Sequence, residues 1–139
     1  MAWIKEGQTP FKTNPAAITL KLKNHAAMDE LVKGKGTRDH CDMMIAALNI
    51  TEAFSMMGIG DEYQEEIKAG QDAMLTMCQR GLSKDKFIFT GPELTAINLV
   101  MEIHDAQLDH CTLAELEQAI KVVSKVIKEK KAKLIEGKP

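Results

Sequence analysis

Two dipeptides of one kind, His40-Cys41 and His110-Cys111, hold the most obvious ligand chemistry, because two imidazoles and two thiols make a legal tetrahedral zinc set. The elements that would carry them argue against closure within one chain. His40 opens one long helical stretch and His110 ends another, and parallel helices of about 20 residues hold such ends roughly 30 Å apart. The spacing also lacks the paired-ligand pattern of zinc modules, so no metal is expected there. A glycine-rich joint, KGKGT at residues 33–37, supplies Lys33 and Lys35, with Arg38 and His40 just beyond it at a helix start, where backbone N–H groups favour anions. The joint follows a helix and lacks the P-loop order, so a nucleotide phosphate held between subunits is the ligand it could take. His104 and Gln107 fall inside an apolar arc, where each must find a hydrogen-bond partner for a buried polar tip. With no second His, Cys or Ser at catalytic spacing, nucleophilic catalysis has no basis and no residue is assigned a catalytic role.

The carboxylates form a further set. Asp61-Glu62-x-x-Glu65 followed by Glu102-x-x-Asp105 resembles the pattern of the all-helical MazG-like nucleotide pyrophosphohydrolases, which bind magnesium on two antiparallel helices. The resemblance implies magnesium held by Glu62, Glu66, Glu102 and Asp105, neutralising phosphates and lowering the pKa of an attacking water. It covers five residues and departs from the family in two respects. Asp61 and Glu65 fall opposite the apolar stripe of their helix, and the gap before Glu102 is longer. Simpler physics accounts for the same side chains: glutamates in a first turn offset the helix dipole, and a thin acidic line is the solvent exit of a buried helix. No cofactor is therefore expected, magnesium belonging only to the enzyme alternative.

The elements that must position these groups are helices. From Asp39 to Met57 the period places Asp42, Asn49 and Glu52 on one narrow line, interrupted by Ile45 and Met56, with apolar residues over most of the remaining circumference. Glu93 to His110 repeats the design. Thr37 caps the first of these helices and Gly58 marks its end; Asp61 starts the next, which runs to about Gly81 with Gly70 inside its apolar stripe. A mid-helix glycine costs about 1 kcal/mol, so its place there predicts close approach of another backbone. Thr90-Gly-Pro-Glu93 and Thr112-Leu-Ala-Glu115 are capping boxes that open the last two helices. The final helix carries Leu113, Leu116, Ala119, Ile120, Val123 and Ile127 on one face, and its KEKKAK end is expected in solvent.

Upstream, Pro10 and Pro15 with Trp3, Ile4 and Phe11 read as an extended arm. ITLKLK alternates as a half-buried strand and KFIFT is its best partner, while Asn24 caps a short helix from His25 to Lys33. The expectation is a mainly α protein: an antiparallel helical bundle of four long helices plus one short helix, with an extended N-terminal arm and a minimal two-strand ribbon. Residues 1–23 make the arm and strand, residues 24–139 a single helical domain.

The chain has 139 residues, 45% hydrophobic and 27% charged, with nine Met and only 4% aromatics, so one soft aliphatic core is expected. A formal charge of -2 with scattered Lys and Arg disfavours direct nucleic-acid binding. The longest apolar run is far below the roughly 20 residues of a membrane span, and the N-terminus lacks a signal-peptide core. Three widely spaced cysteines suit reduced thiols, so a cytoplasmic location is expected. Two helices apolar over more than half their circumference need more partner surface than a small bundle offers, which points to a homo-oligomer with Met44, Phe54, Met101 and His104 at an interface. Finally, FTGPELTAINLVMEIHDAQLDHCT is similar to short helical proteins of proteobacterial phages and prophages. That resemblance implies action on a host or phage component, such as regulation or inhibition of a host defence system, and carries no site residue. The expectation is a non-enzymatic protein that binds itself and another protein, with an intersubunit nucleotide sponge and the magnesium enzyme as alternatives.

Overall fold

The computed structural model describes residues 14–136, with side chains described as far as Glu129. The chain is mainly helical: α1 spans Pro15–Val32, α2 Arg38–Met56, α3 Gln64–Lys84, α4 Gly91–His110 and α5 Leu113–Glu136, with a 3-10 turn at Asp61–Tyr63 before α3. No strand occurs among the described residues. Helix α2 is the central element, packing against α1, α3, α4 and α5.

The N-terminal region corrects the sequence reading. ITLKLK is the second turn onward of α1, not a strand, and the helix expected to begin at His25 is the second half of the same element. Pro15 sits at the first helical position, where its missing N–H costs nothing, and the Asn14 side chain caps the helix by accepting from the Ala17 N–H at 3.1 Å. Ala17, Asn24, Ala27, Met28 and Leu31 face inward at spacings of three, four and seven, while Ile18 and Leu22 face solvent. Of the arm and strand expected over residues 1–23, residues 1–13 lie outside the described residues and residues from Pro15 on are helix α1. KFIFT is likewise no strand. It is an irregular link in which Phe87 is buried against Gly81 and Arg80 Nη2 donates to the Ile88 carbonyl at 2.8 Å.

The helix starts agree with their caps. Thr90 and Thr112 each accept from the N–H three residues on, at 3.3 and 3.1 Å, and Glu93 and Glu115 reciprocate at 2.8 and 2.9 Å. Thr37 precedes α2, and its N–H donates to His40 Nδ1 at 2.9 Å. Gly70 is where α3 meets α4: a Cβ there would collide with Val100 and lie 3.4 Å from the Ala96 carbonyl. The close approach expected of that glycine is present, and α4 makes it.

Two apolar clusters fill the interior. One joins α1 to α4 around Leu31, Met44, Leu48, Met74, Met77, Ile97 and Met101. The other joins α5 to the ends of α2 and α4 through Ile50, Phe54, Ile59, Leu108, Leu116 and Ala119. No helix among the described residues is long and apolar enough to cross a membrane.

Candidate functional site

Met44, Phe54, Met101 and His104, expected at an interface between copies, are all buried inside the single chain. The reason is the length of α1. An 18-residue helix in place of an arm and a short segment gives α2 and α4 the partner surface that the sequence reading found missing.

His104 belongs to a closed polar network. Gln107 Nε2 donates to the Thr51 carbonyl at 3.1 Å and to the Ile59 carbonyl at 2.9 Å, so its Oε1 faces His104 Nδ1 at 3.1 Å and accepts. This fixes the proton on Nδ1 and leaves Nε2 without a protein partner. Burial disfavours the imidazolium and pulls the His104 pKa down to about 4, the hydrogen bond to Gln107 opposing the shift. The ring is a neutral structural group, 6.2 Å between centroids from Phe54. Along the neighbouring seam of α1 and α4, Lys21 pairs with Asp109 at 2.9 Å and His25 with Asp105 at 2.7 Å.

The thiols are dispersed in the same way. Cys41 and Cys78 lie together in the core between α2 and α3, and burial raises the pKa of both. Cys111 meets Asn14 Nδ2 at 3.4 Å, and burial pushes its thiol up to about 11. All three are free and buried, and burial holds the thiols on the protonated side, away from the thiolate that a nucleophile requires. His40 and Cys41 therefore lie with Thr37 and Cys78, while Cys111 lies with Asn14, so the two His-Cys pairs do not meet.

Among the carboxylates, Arg80 on Glu93 and Gly70 on Val100 set the register of α3 against α4, and continuing it brings Glu66 near the height of Glu102. Asp105 spends Oδ2 on His25, and no three His, Cys, Asp or Glu side chains among the described residues are grouped to hold a metal ion. Lys33, Lys35 and Arg38 are exposed around the turn where Gly34 adopts φ +77°, and His40 is half-buried beside them.

The feature that sequence reasoning passed over lies on the outer face of α2. Ile45, Asn49 and Glu52 line a hollow of about 350 Å³ with Lys68, Gln71, Asp72 and Leu75 of α3. Asn49, Glu52, Ala53 and Met56 line another, about 260 Å³, with Val122, Val123, Val126 and Ile127 of α5. A third, about 240 Å³, joins Glu52 and Met56 to Gln64, Ile67 and Lys68. Glu52 lines all three, Asn49 the first two and Met56 the last two, so the hollows are neighbours on the α3 side and the α5 side of the exposed α2 line identified in the sequence as a solvent exit, and together they form the trough. Gln71 Nε2 donates to Asn49 Oδ1 at 3.2 Å across it, and Lys68 pairs with Asp72 at 3.0 Å on its rim. Met56 is 75% exposed, and Leu75, Val126 and Ile127 are exposed along the walls. Amides and a carboxylate beside apolar edges can receive an amphipathic segment. The polar line was the available signal, because a line bounded by Ile45 and Met56 is a poor place to meet bare water. No protein-family model, curated protein or solved structure matches the chain.

Proposed function

We propose that this is a non-enzymatic helical protein that works by association: a homo-oligomer that also binds another protein, as a phage- or mobile-element-encoded regulator or inhibitor of a host defence system does. The observation that carries it is the distribution of exposed apolar side chains. With Met44, Phe54 and Met101 consumed by the core, Met56, Leu75, Val126 and Ile127, four of the thirteen exposed large apolar side chains among the described residues, lie around one trough, while His104 and the three thiols are buried. The same reading takes α1 to α4 as an antiparallel bundle crossed by α5. It is supported by the seam on which α1 advances from Lys21 to His25 while α4 retreats from Asp109 to Asp105. Three unpaired thiols agree with work in the cytoplasm.

The mass in dilute solution tests it. Light scattering is expected to give a multiple of 15.4 kDa, and a clean monomer at all concentrations removes self-association from the proposal. A second reading, a nucleotide held between subunits, is favoured by the exposure of Lys33, Lys35 and Arg38 around one turn. Thermal-shift screening with cyclic and linear nucleotides decides it, and no stabilisation by any of them at high concentration rejects it.

A further inference from the structure

Beyond Val123, the described part of α5 touches the rest of the chain along the hollow that Val126 and Ile127 share with α2. Every described residue from Ser124 to Glu129 is exposed, yet the helix continues to Glu136. The stretch is also amphipathic: Val126 and Ile127 form an exposed apolar ridge, and Lys121, Lys125 and Lys128 are exposed beside it. On the other side of the trough the charge is more acidic. Glu52 on α2 and Asp72 on α3, the latter paired with Lys68, line the first hollow and are exposed, as is Glu65 one turn before Lys68 on α3.

Ridge and trough, lysines and carboxylates, lie on one continuous patch. A patch that is complementary to itself is what a two-fold contact requires, each element meeting its counterpart on the other copy. We infer that the trough is occupied by the α5 second half of a second copy of this chain, which receives the first copy's α5 in return. Val126 and Ile127 of each copy cover Met56 and Leu75 of the other, and Lys125 and Lys128 face Glu52 and Glu65. Charge on both sides fixes the direction in which the helices cross, and apolar contact between them excludes water. The inference rests on the self-association proposed above and adds the surface that performs it.

The full-length chain is measured by sedimentation over the micromolar range, with helix content followed by circular dichroism. The wild type is expected to be a dimer whose dissociation constant rises with salt. Val126→Glu with Ile127→Glu is expected to give a monomer with unchanged helix content in residues before α5 and an unchanged melting midpoint at low concentration. Lys125→Glu with Lys128→Glu weakens the dimer at least tenfold, and adding Glu52→Lys with Glu65→Lys restores it. A wild-type dimer that ignores both α5 variants overturns this surface while leaving self-association standing. A wild-type monomer overturns both. A monomer that dimerises once residues 2–13 are removed also overturns it, naming the chain's own N-terminal segment, with Trp3, Ile4 and Phe11, as the occupant. Weakening by the lysine reversal without rescue overturns the pairing of charges assigned here.

Discussion

The seam where α4 crosses α2 and the trough where α5 crosses it are built from similar residues and end in opposite states. At the first, Gln107 satisfies two backbone carbonyls and turns its oxygen to His104, Phe54 lies against the ring, and nothing reaches solvent. At the second, Asn49 and Gln71 are bonded to each other, but Glu52, Met56, Val126 and Ile127 stay open. The difference lies in how many helices meet. In the enclosed seam the Gln107 amide, His104 Nδ1 and the Thr51 and Ile59 carbonyls find their partners within the chain and His104 Nε2 does not, whereas polar groups in a two-walled hollow can wait for a partner from outside.

The contrast breaks first at Phe54. Phe54→Ala is expected to lower unfolding free energy by about 3–5 kcal/mol, read from the urea midpoint at constant slope, because the surrounding cluster cannot collapse into the space of a ring. A loss near that of a surface substitution would mean the α2–α4 seam is not closed. Gln107→Leu keeps the volume but leaves the Thr51 and Ile59 carbonyls unanswered, at a cost of roughly 2–4 kcal/mol.

Acid sharpens it next. His104 titrates near 4 in the fold against an ordinary 6.5, so the unfolded chain binds the proton more readily, and the stabilisation, complete above pH 6.5, is lost as pH falls toward 4. Stability at pH 7 and pH 5 should differ less in His104→Gln than in the wild type. Glu93, held near 2 by Arg80 and by the Thr90 N–H, against an ordinary 4.5, contributes above pH 4.5 and loses that contribution as pH falls toward 2. Melting points from pH 5 to pH 2.5 should fall less steeply in Glu93→Gln. The smallest effect belongs to the trough wall: Ile127→Ala should move the monomer's unfolding free energy by less than about 0.5 kcal/mol, its side chain being 41% exposed. A larger loss at dilution would show that α5 is anchored in the single chain.

Helix boundaries were legible because Thr90 and Thr112 announce themselves through a glutamate three residues later, and Gly70 announced a neighbour by its place in a stripe. Helix α1 was not. Six alternating residues imitate a strand, and the true inward line has Asn at position 24, whose polarity hides the helical period just where it would be read. Losing that helix cost more than one element, because the apparent surplus of apolar surface on α2 and α4 followed from it and sent Met44, Phe54, Met101 and His104 to an imagined interface. The polar line of α2 was read correctly as a line. That two other helices would flank it and make it a trough depends on where α5 crosses, which no local pattern records.

Asn14 does two things with one side chain: its oxygen caps α1, and its Nδ2 donates to the Cys111 carbonyl at 3.2 Å across a separation of 97 residues. A chain emerging from a ribosome makes the cap at once and must wait for the joint between α4 and α5 before it closes the clasp. Contacts of such long sequence separation form late and slow folding, so α1 can dock on α2 early while its N-terminal end is fastened last. A chain interrupted before residue 111 would carry α1 as a helix without a latch, open to proteases that the finished protein excludes.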